Sequence, residues 1–262
     1  MKIWKGVVRM KIYVDETAEL MGRRAAEDTA KEIKRAVEER GECRLLLSTG
    51  ASQFEMFDAL VTKDLPWDHV VMFHLDEYVG MPATHNASFR KYLKERFIDK
   101  VHPKAYHFVN GEGDVEKNIQ KLTEAVRKAP IDVALIGIGE NGHIAFNDPP
   151  ADFDTKEAYK VVELEERCKK QQMGEGWFAT IDEVPAKAIT MTVFQMMQCR
   201  VILSVVPGKR KAQAIRMTLE SPEVTNQIPA TKLREHSAWS LYLDKDSASL
   251  VDAAFLKQVD TK

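Results

Sequence analysis

The chain has 262 residues, 44% of them hydrophobic and 30% charged, with a formal net charge of −2. That length suffices for one large α/β core, and a near-neutral balance without blocks of like charge gives no footprint for a nucleic-acid partner. Three widely spaced cysteines make neither a disulfide framework nor a CxxC zinc pattern. No apolar run has signal-peptide or membrane-spanning form, so the expectation is a cytoplasmic protein without membrane contact.

Short apolar runs alternate with amphipathic stretches from the start. "KIYV" at Lys11 reads as a buried strand, and Glu16 to Arg40 carries Ala, Leu and Ile at helical spacing up to Gly41, where a left-handed cap is expected. "CRLLLS" at Cys43 is the next strand, followed by a helix from Phe54 to Val61. "HVVMFHL" at His69 is followed by helices predicted from Ser88 to Ile98 and from Val115 to Lys128, the latter with Asp114 as its cap. "IDVALIG" at Ile131, "RVILSVV" at Arg200 and "WSLYLD" at Trp239 complete the strands, with a helix from Lys209 to Leu219. This alternation predicts an α/β fold with a mostly parallel sheet and helices on both faces. Residues 151–181, which include "EERCKKQQMGEGWF", are more polar and read as an insertion or lid within a single domain spanning 1–262.

In a parallel α/β sheet ligands bind beyond the carboxyl ends of the strands, and three such ends are chemically rich. In "LLLSTGASQFEMF", Ser48, Thr49, Gly50, Ala51 and Ser52 lie between strand and helix. Small residues let backbone N–H groups approach a phosphate and hydroxyls add donors. Neither a Walker A loop nor GxGxxG is present, so an ordinary turn with a helix cap is an equal alternative. In "VVMFHLDEYVG", Asp76 and Glu77 follow a strand directly, and alternation lets at most one of them face a given ligand. His74 and His85 stand near Asp76 in sequence, but this spacing lacks the organised further ligand that a metal site requires. In "GIGENGHIAFNDPP", glycines and Asn141 can fold a tight turn that returns His143 over the strand ends. Asp148, five residues on, can orient or charge it, and such a pair can move protons near neutral pH. The structural alternative has His143 merely filling the turn.

Taken together, "STGAS", "LDEYVGMP" and "GIGENGHIAFNDP", in this order and at these separations, resemble the glucosamine-6-phosphate deaminase (isomerase) family. The related 6-phosphogluconolactonases typically carry Asp-Glu-Arg and Gly-His-x-Ala-Ser-Leu-Phe-Pro, whereas this chain has Asp-Glu-Tyr and "GHIAFN". The resemblance implies a Rossmann-like sheet and chemistry that needs no metal or organic cofactor. It also implies a small-molecule hexosamine phosphate as substrate, with glucosamine 6-phosphate and water giving fructose 6-phosphate and ammonia. His143 would assist ring opening, with Asn141 and Asp148 as its network, and Asp76 would move a proton between C2 and C1. The phosphate would lie in the Ser48–Ser52 loop, reached by Lys211 of "PGKRKA" as a point charge.

Two departures stand out. Many relatives have glutamate where this chain has Asp148, one methylene shorter, which predicts that the contact to His143 is water-mediated or lost. A family arginine for phosphate has no counterpart in "CKKQQMGEGWF", with Arg167, Lys169 and Lys170 as the cations at hand. The competing functions are a lactonase-type hydrolase and a sugar-phosphate-binding regulator without chemistry. The presence of both Asp76 and His143 argues against the regulator. Family members occur as monomers and as hexamers, which leaves a homo-oligomer open.

Overall fold

In the computed structural model, which describes residues 10–174, 176–256 and 260–261, strand and helix alternate as the apolar runs require. The first elements are β1 (Lys11–Asp15), α1 (Ala18–Arg40), β2 (Cys43–Leu47), α2 (Phe54–Leu60), β3 (Val70–His74) and the three-residue β4 (Asp76–Tyr78). A helix then begins as α3 (Phe89–Leu93), widens into a π-turn over Lys94–Ile98 and ends as α4 (Asp99–Val101). After it come β5 (Ala105–His107), α5 (Val115–Val126), β6 (Val133–Leu135), β7 (Tyr159–Glu163), α6 (Glu166–Gly174), β8 (Lys187–Met191) and α7 (Val193–Met196). The chain closes with β9 (Val201–Val206), α8 (Ala212–Glu220), β10 (Trp239–Asp244), α9 (Ala253–Leu256) and β11 (Asp260–Thr261).

Local signals fix the helix ends. Thr17 Oγ1 accepts the Leu20 N–H at 3.2 Å to start α1, and Gly41, at φ 74°, ends it with its own N–H on Val37 O. Asp114 caps α5 by accepting from Lys117 N at 3.0 Å.

The main sheet has the order β11-β1-β10-β9-β6-β2-β3-β5, and its pairings are parallel. Both faces are covered, so its central strands are apolar at successive positions. Leu45 and Leu47 pack with Met21, Ile33 and Phe57 of α1 and α2 on one face. Leu46 joins Leu122 of α5, Met196 of α7 and Ile215 of α8 on the other. From β2 the chain moves outward to β3 in one direction, and from β6 it moves to β9 and β10 in the other. The switch between β2 and β6 opens a crevice at their carboxyl ends.

The polar stretch in the middle of the chain supplies β7 and α6. Strand β7 pairs antiparallel with β8, which pairs antiparallel with β4, giving a second sheet of order β4-β8-β7. Leu75 joins the two sheets: its N–H donates to Leu47 O at 3.2 Å, and its carbonyl accepts from Met191 N at 2.7 Å. Among the described residues no helix is long and apolar enough to cross a membrane.

Candidate active site

A cavity of about 480 Å³ lies at the carboxyl ends of β2, β3, β6 and β9. The three polar strand ends singled out in the sequence meet there. Ser48, Thr49, Gly50, Ala51 and Ser52 line it from β2, Asp76 from β3 and β4, and His143 from the turn after β6. Lys211 lines it from the loop after β9, with Lys209 and Arg210 beside it.

The β2 loop is built for close approach. Gly50 holds φ 102°, a backbone that side-chain-bearing residues rarely adopt, and the buried Ser48 hydroxyl has no protein partner among the described residues. Gln53 ties this loop across the sheet, donating from Nε2 to Ser52 Oγ at 3.1 Å and to Val205 O at 3.2 Å. The loop after β9 is clamped in a different way. Asp244, the last residue of β10, accepts the Gly208 N–H with both oxygens, at 3.1 and 3.0 Å, and the Ser247 N–H at 2.7 Å.

Asp76 and Glu77 take opposite faces, as strand alternation requires. Asp76 faces the cavity. Burial, with Glu77 alongside, pushes its carboxyl up to about 8. Glu77 is fully buried and faces α3, where it accepts from Ser88 Oγ at 2.6 Å, Arg90 Nε at 3.2 Å and the backbone N–H groups of Tyr78, Phe89 and Arg90. It anchors the helix that brings Phe89 to the cavity wall. His74 is also buried: its Nε2 accepts the Val109 N–H at 2.8 Å, and burial drives its pKa down to about 3, so it is neutral. His85 accepts from Ala87 N and stacks on Phe178. Both histidines are packing residues. Among the described residues no group of three or more His, Cys, Asp or Glu side chains could hold a metal ion.

The glycine-rich turn closes on itself through Gly139 N to His143 O at 2.9 Å and Gly142 N to Gly139 O at 3.0 Å. His143 N donates to Asn141 Oδ1 at 3.0 Å, and Asn141 Nδ2 donates to Asp148 Oδ1 at 2.9 Å. The same Asp148 oxygen lies 3.2 Å from His143 Nδ1, off the alignment of a good hydrogen bond but in direct contact. The shorter carboxylate therefore reaches the imidazole without the water expected from its length. Burial opposes the Asp148 charge, yet His143, Asn141 and the Cys168 thiol outweigh it and hold the carboxyl below its usual range. Asn141 and Asp148 stand behind His143 rather than on the cavity wall.

Several lining residues carried no signal in the sequence. Phe89 and Phe146 form an aromatic wall with Tyr78, and Gln172 of α6 reaches the cavity from the polar segment. No periodicity or turn pattern marks Gln172, since only the packing of α6 onto β4 brings it there. Of the cations expected to replace the family arginine, Lys170 pairs with Glu166 on the surface at 2.6 Å. Lys169 is not on the cavity wall, and the Arg167 side chain lies outside the described residues.

Comparison with known proteins agrees with this geometry. Residues 16–241 match the family model described as glucosamine-6-phosphate isomerases/6-phosphogluconolactonase. A glucosamine-6-phosphate deaminase of Thermoanaerobacter sp. (strain X514) is 34% identical over 259 residues, covering 96% of this chain and 99% of the relative. Another, from Shouchella clausii (strain KSM-K16), is 37% identical over 212 residues, covering 78% of this chain and 84% of the relative. Among solved structures, a monomeric glucosamine-6-phosphate deaminase superposes with TM-score 0.84 at 31% identity, covering 92% of this chain and all of that one. A 6-phosphogluconolactonase from Shewanella baltica OS155 shares the fold at TM-score 0.74 and 19% identity, covering 91% of this chain and 99% of the other. The chain belongs to the glucosamine-6-phosphate deaminase/isomerase family, of which the 6-phosphogluconolactonases are relatives.

Proposed function

We propose that this chain converts a hexosamine 6-phosphate, glucosamine 6-phosphate in the first instance, and water into a ketohexose 6-phosphate and ammonia. The observation that carries this reading is the meeting, in one cavity, of a buried carboxyl whose pKa is raised to about 8 and an imidazole backed by a carboxylate. A simple sugar-phosphate receptor needs neither group.

In this reading the phosphate sits against the Ser48–Ser52 loop and the cations after β9, with Lys211 as its point charge. His143 takes the proton from the anomeric hydroxyl and returns one to the ring oxygen, which opens the pyranose. Asn141 and Asp148 fix the orientation of the imidazole. Asp76 removes the proton from C2 of the open chain and delivers it to C1, while one proton of the C2 ammonium passes to O1, turning the amino aldehyde into a protonated ketimine through an enolamine. Water adds to the C2 carbon, and ammonia leaves. A substrate ammonium at C2 brings positive charge beside Asp76 and favours its ionised form, so the substrate helps to prepare its own base.

We read the chain as one domain whose segment 151–181 roofs the site, working in a reducing compartment such as the cytoplasm. Its three cysteines, Cys43, Cys168 and Cys199, are free and buried, which suits that setting. The test is a coupled assay for ammonia and ketohexose phosphate across hexosamine 6-phosphates, with 6-phosphogluconolactone as control. Release of both products from at least one hexosamine phosphate supports the reading, whereas hydrolysis of the lactone alone would replace it.

A further inference from the structure

Helix α6 turns one face to the site. Cys168 contacts Asp148, and Gln172, one helical turn further on, reaches the cavity wall while only 7% exposed. The two ends of the Gln172 carboxamide are in different situations. Its Oε1 accepts a 2.7 Å hydrogen bond from the hydroxyl of Tyr78, a fully buried side chain. Among the described residues its Nε2 has no protein acceptor. The donor end of the amide stands at the cavity wall, where a ligand oxygen can supply its acceptor.

The fold indicates which part of a ligand that oxygen belongs to. Tyr78 follows Asp76 by two residues on β4, so the two side chains share a face, and Gln172 is tied to the Asp76 wall. Lys209, Arg210 and Lys211 follow β9, which is separated from β3 by β6 and β2. Three strand spacings amount to roughly 14 Å. A sugar phosphate with its phosphate toward those cations and its reacting carbons at Asp76 therefore turns its hydroxyl-bearing chain, not its phosphate, toward Gln172.

We propose that Gln172 is a specificity-determining residue whose carboxamide, aimed by Tyr78, donates to a hydroxyl of the sugar chain close to Asp76. This inference rests on the sugar-phosphate reading above and assigns the hydroxyl end of that substrate a dedicated contact.

The experiment compares two ligands by titration calorimetry. One is 2-amino-2-deoxyglucitol 6-phosphate, an open-chain amino alditol that lacks the carbonyl and cannot react, and the other is inorganic phosphate. Gln172→Met should weaken the alditol phosphate about tenfold, the scale of one lost hydrogen bond, with inorganic phosphate changed less than about twofold. Because Met takes away the Gln172 carbonyl that accepts from the Tyr78 hydroxyl, the double variant Tyr78→Phe/Gln172→Met is measured as well. It removes both ends of this hydrogen bond and should show the same selective loss. Equal weakening of the two ligands, or no change in either, would overturn the proposal. The deaminase reading is judged separately. A wild type that binds the alditol phosphate yet releases no ammonia from any hexosamine 6-phosphate loses that function but keeps the Gln172 contact. A wild type that binds inorganic phosphate but no sugar phosphate loses both.

Discussion

Gly139 runs so close to His143 that a Cβ at position 139 would lie 2.1 Å from the imidazole Cε1 and Nε2. The glycine here serves the ring rather than the turn, since the imidazole lies over bare backbone and no side chain can share that space. Gly139→Ala should displace the ring from Asp148 and lower kcat about 10²-fold or more, the loss expected when an acid–base group is misplaced. The fold should persist, because the clash is with a side chain at a cavity wall. Steady-state kinetics together with a thermal melt check both halves of this expectation, and an alanine variant of full activity would remove His143 from the chemistry.

Asp76→Asn keeps the shape of the side chain and removes the base. Turnover should fall by at least about 10²–10⁴-fold, and exchange of solvent deuterium into the sugar should cease while ligand binding persists. In the parent enzyme kcat/KM should climb with pH until Asp76 has ionised near 8. Exchange at the parental rate in the variant would show that another group moves the C2 proton.

The same substitution has a stability signature of predictable sign. The unfolded chain gives up this proton near 3.8, whereas the folded protein holds it up to about 8. Stability from this group is therefore full below the lower value and is lost as pH rises through the upper one. Asp76→Asn should be nearly neutral at pH 4 and more stable than the parent at pH 9, by on the order of a few kcal/mol. Urea melts at the two pH values make the comparison, and an equal difference at both would contradict the raised pKa.

Asp148→Asn removes the charge behind His143 while leaving an amide that Asn141 and Cys168 can still contact. We expect kcat to fall about 10²-fold, since the imidazole loses the carboxylate that orients it. KM should move little, because Asp148 does not line the cavity. A variant with raised KM and parental kcat would instead make Asp148 a binding residue.

Asp244→Ala tests the loop after β9 without touching a residue that lines the cavity. Losing the carboxylate frees the Gly208 N–H from its two acceptor oxygens and lets Lys209 to Lys211 drift. KM for phosphate-bearing substrates should rise about 5- to 30-fold with kcat nearly unchanged, the pattern of an interaction made equally in ground and transition states. A fall in kcat at constant KM would disagree.

The strands of the main sheet that pack on both faces were legible because burial makes them continuous apolar runs, as in "CRLLLS" and "RVILSVV". The loops after β2, β3 and β6 were legible because their polar residues are surplus to what a turn needs. The second sheet was not, for a physical reason: β4 has three residues, and β7 alternates buried and exposed positions in a polar segment. Its order comes from pairing with β8 rather than from any local preference. Gln172 and Cys168 belong to the same class, since each reaches the site through packing between segments far apart in sequence. Glu77 was half legible. Alternation set it against Asp76, but nothing local assigned it to Ser88 and Arg90.

The junction at Leu75 has a bearing on how this pocket could be reshaped. One residue before the acid, the main chain is bonded to β2 through its N–H and to β8 through its carbonyl. The position of Asp76 is therefore set by backbone pairing on two sides and owes little to the side chains around it. Phe89, Phe146 and Gln172, which share the cavity with it, are held by side-chain packing instead. A designer seeking room for a bulkier or epimeric sugar can exchange those three walls while the acid stays in register, as a fixed jaw against which the opposing surface is recut.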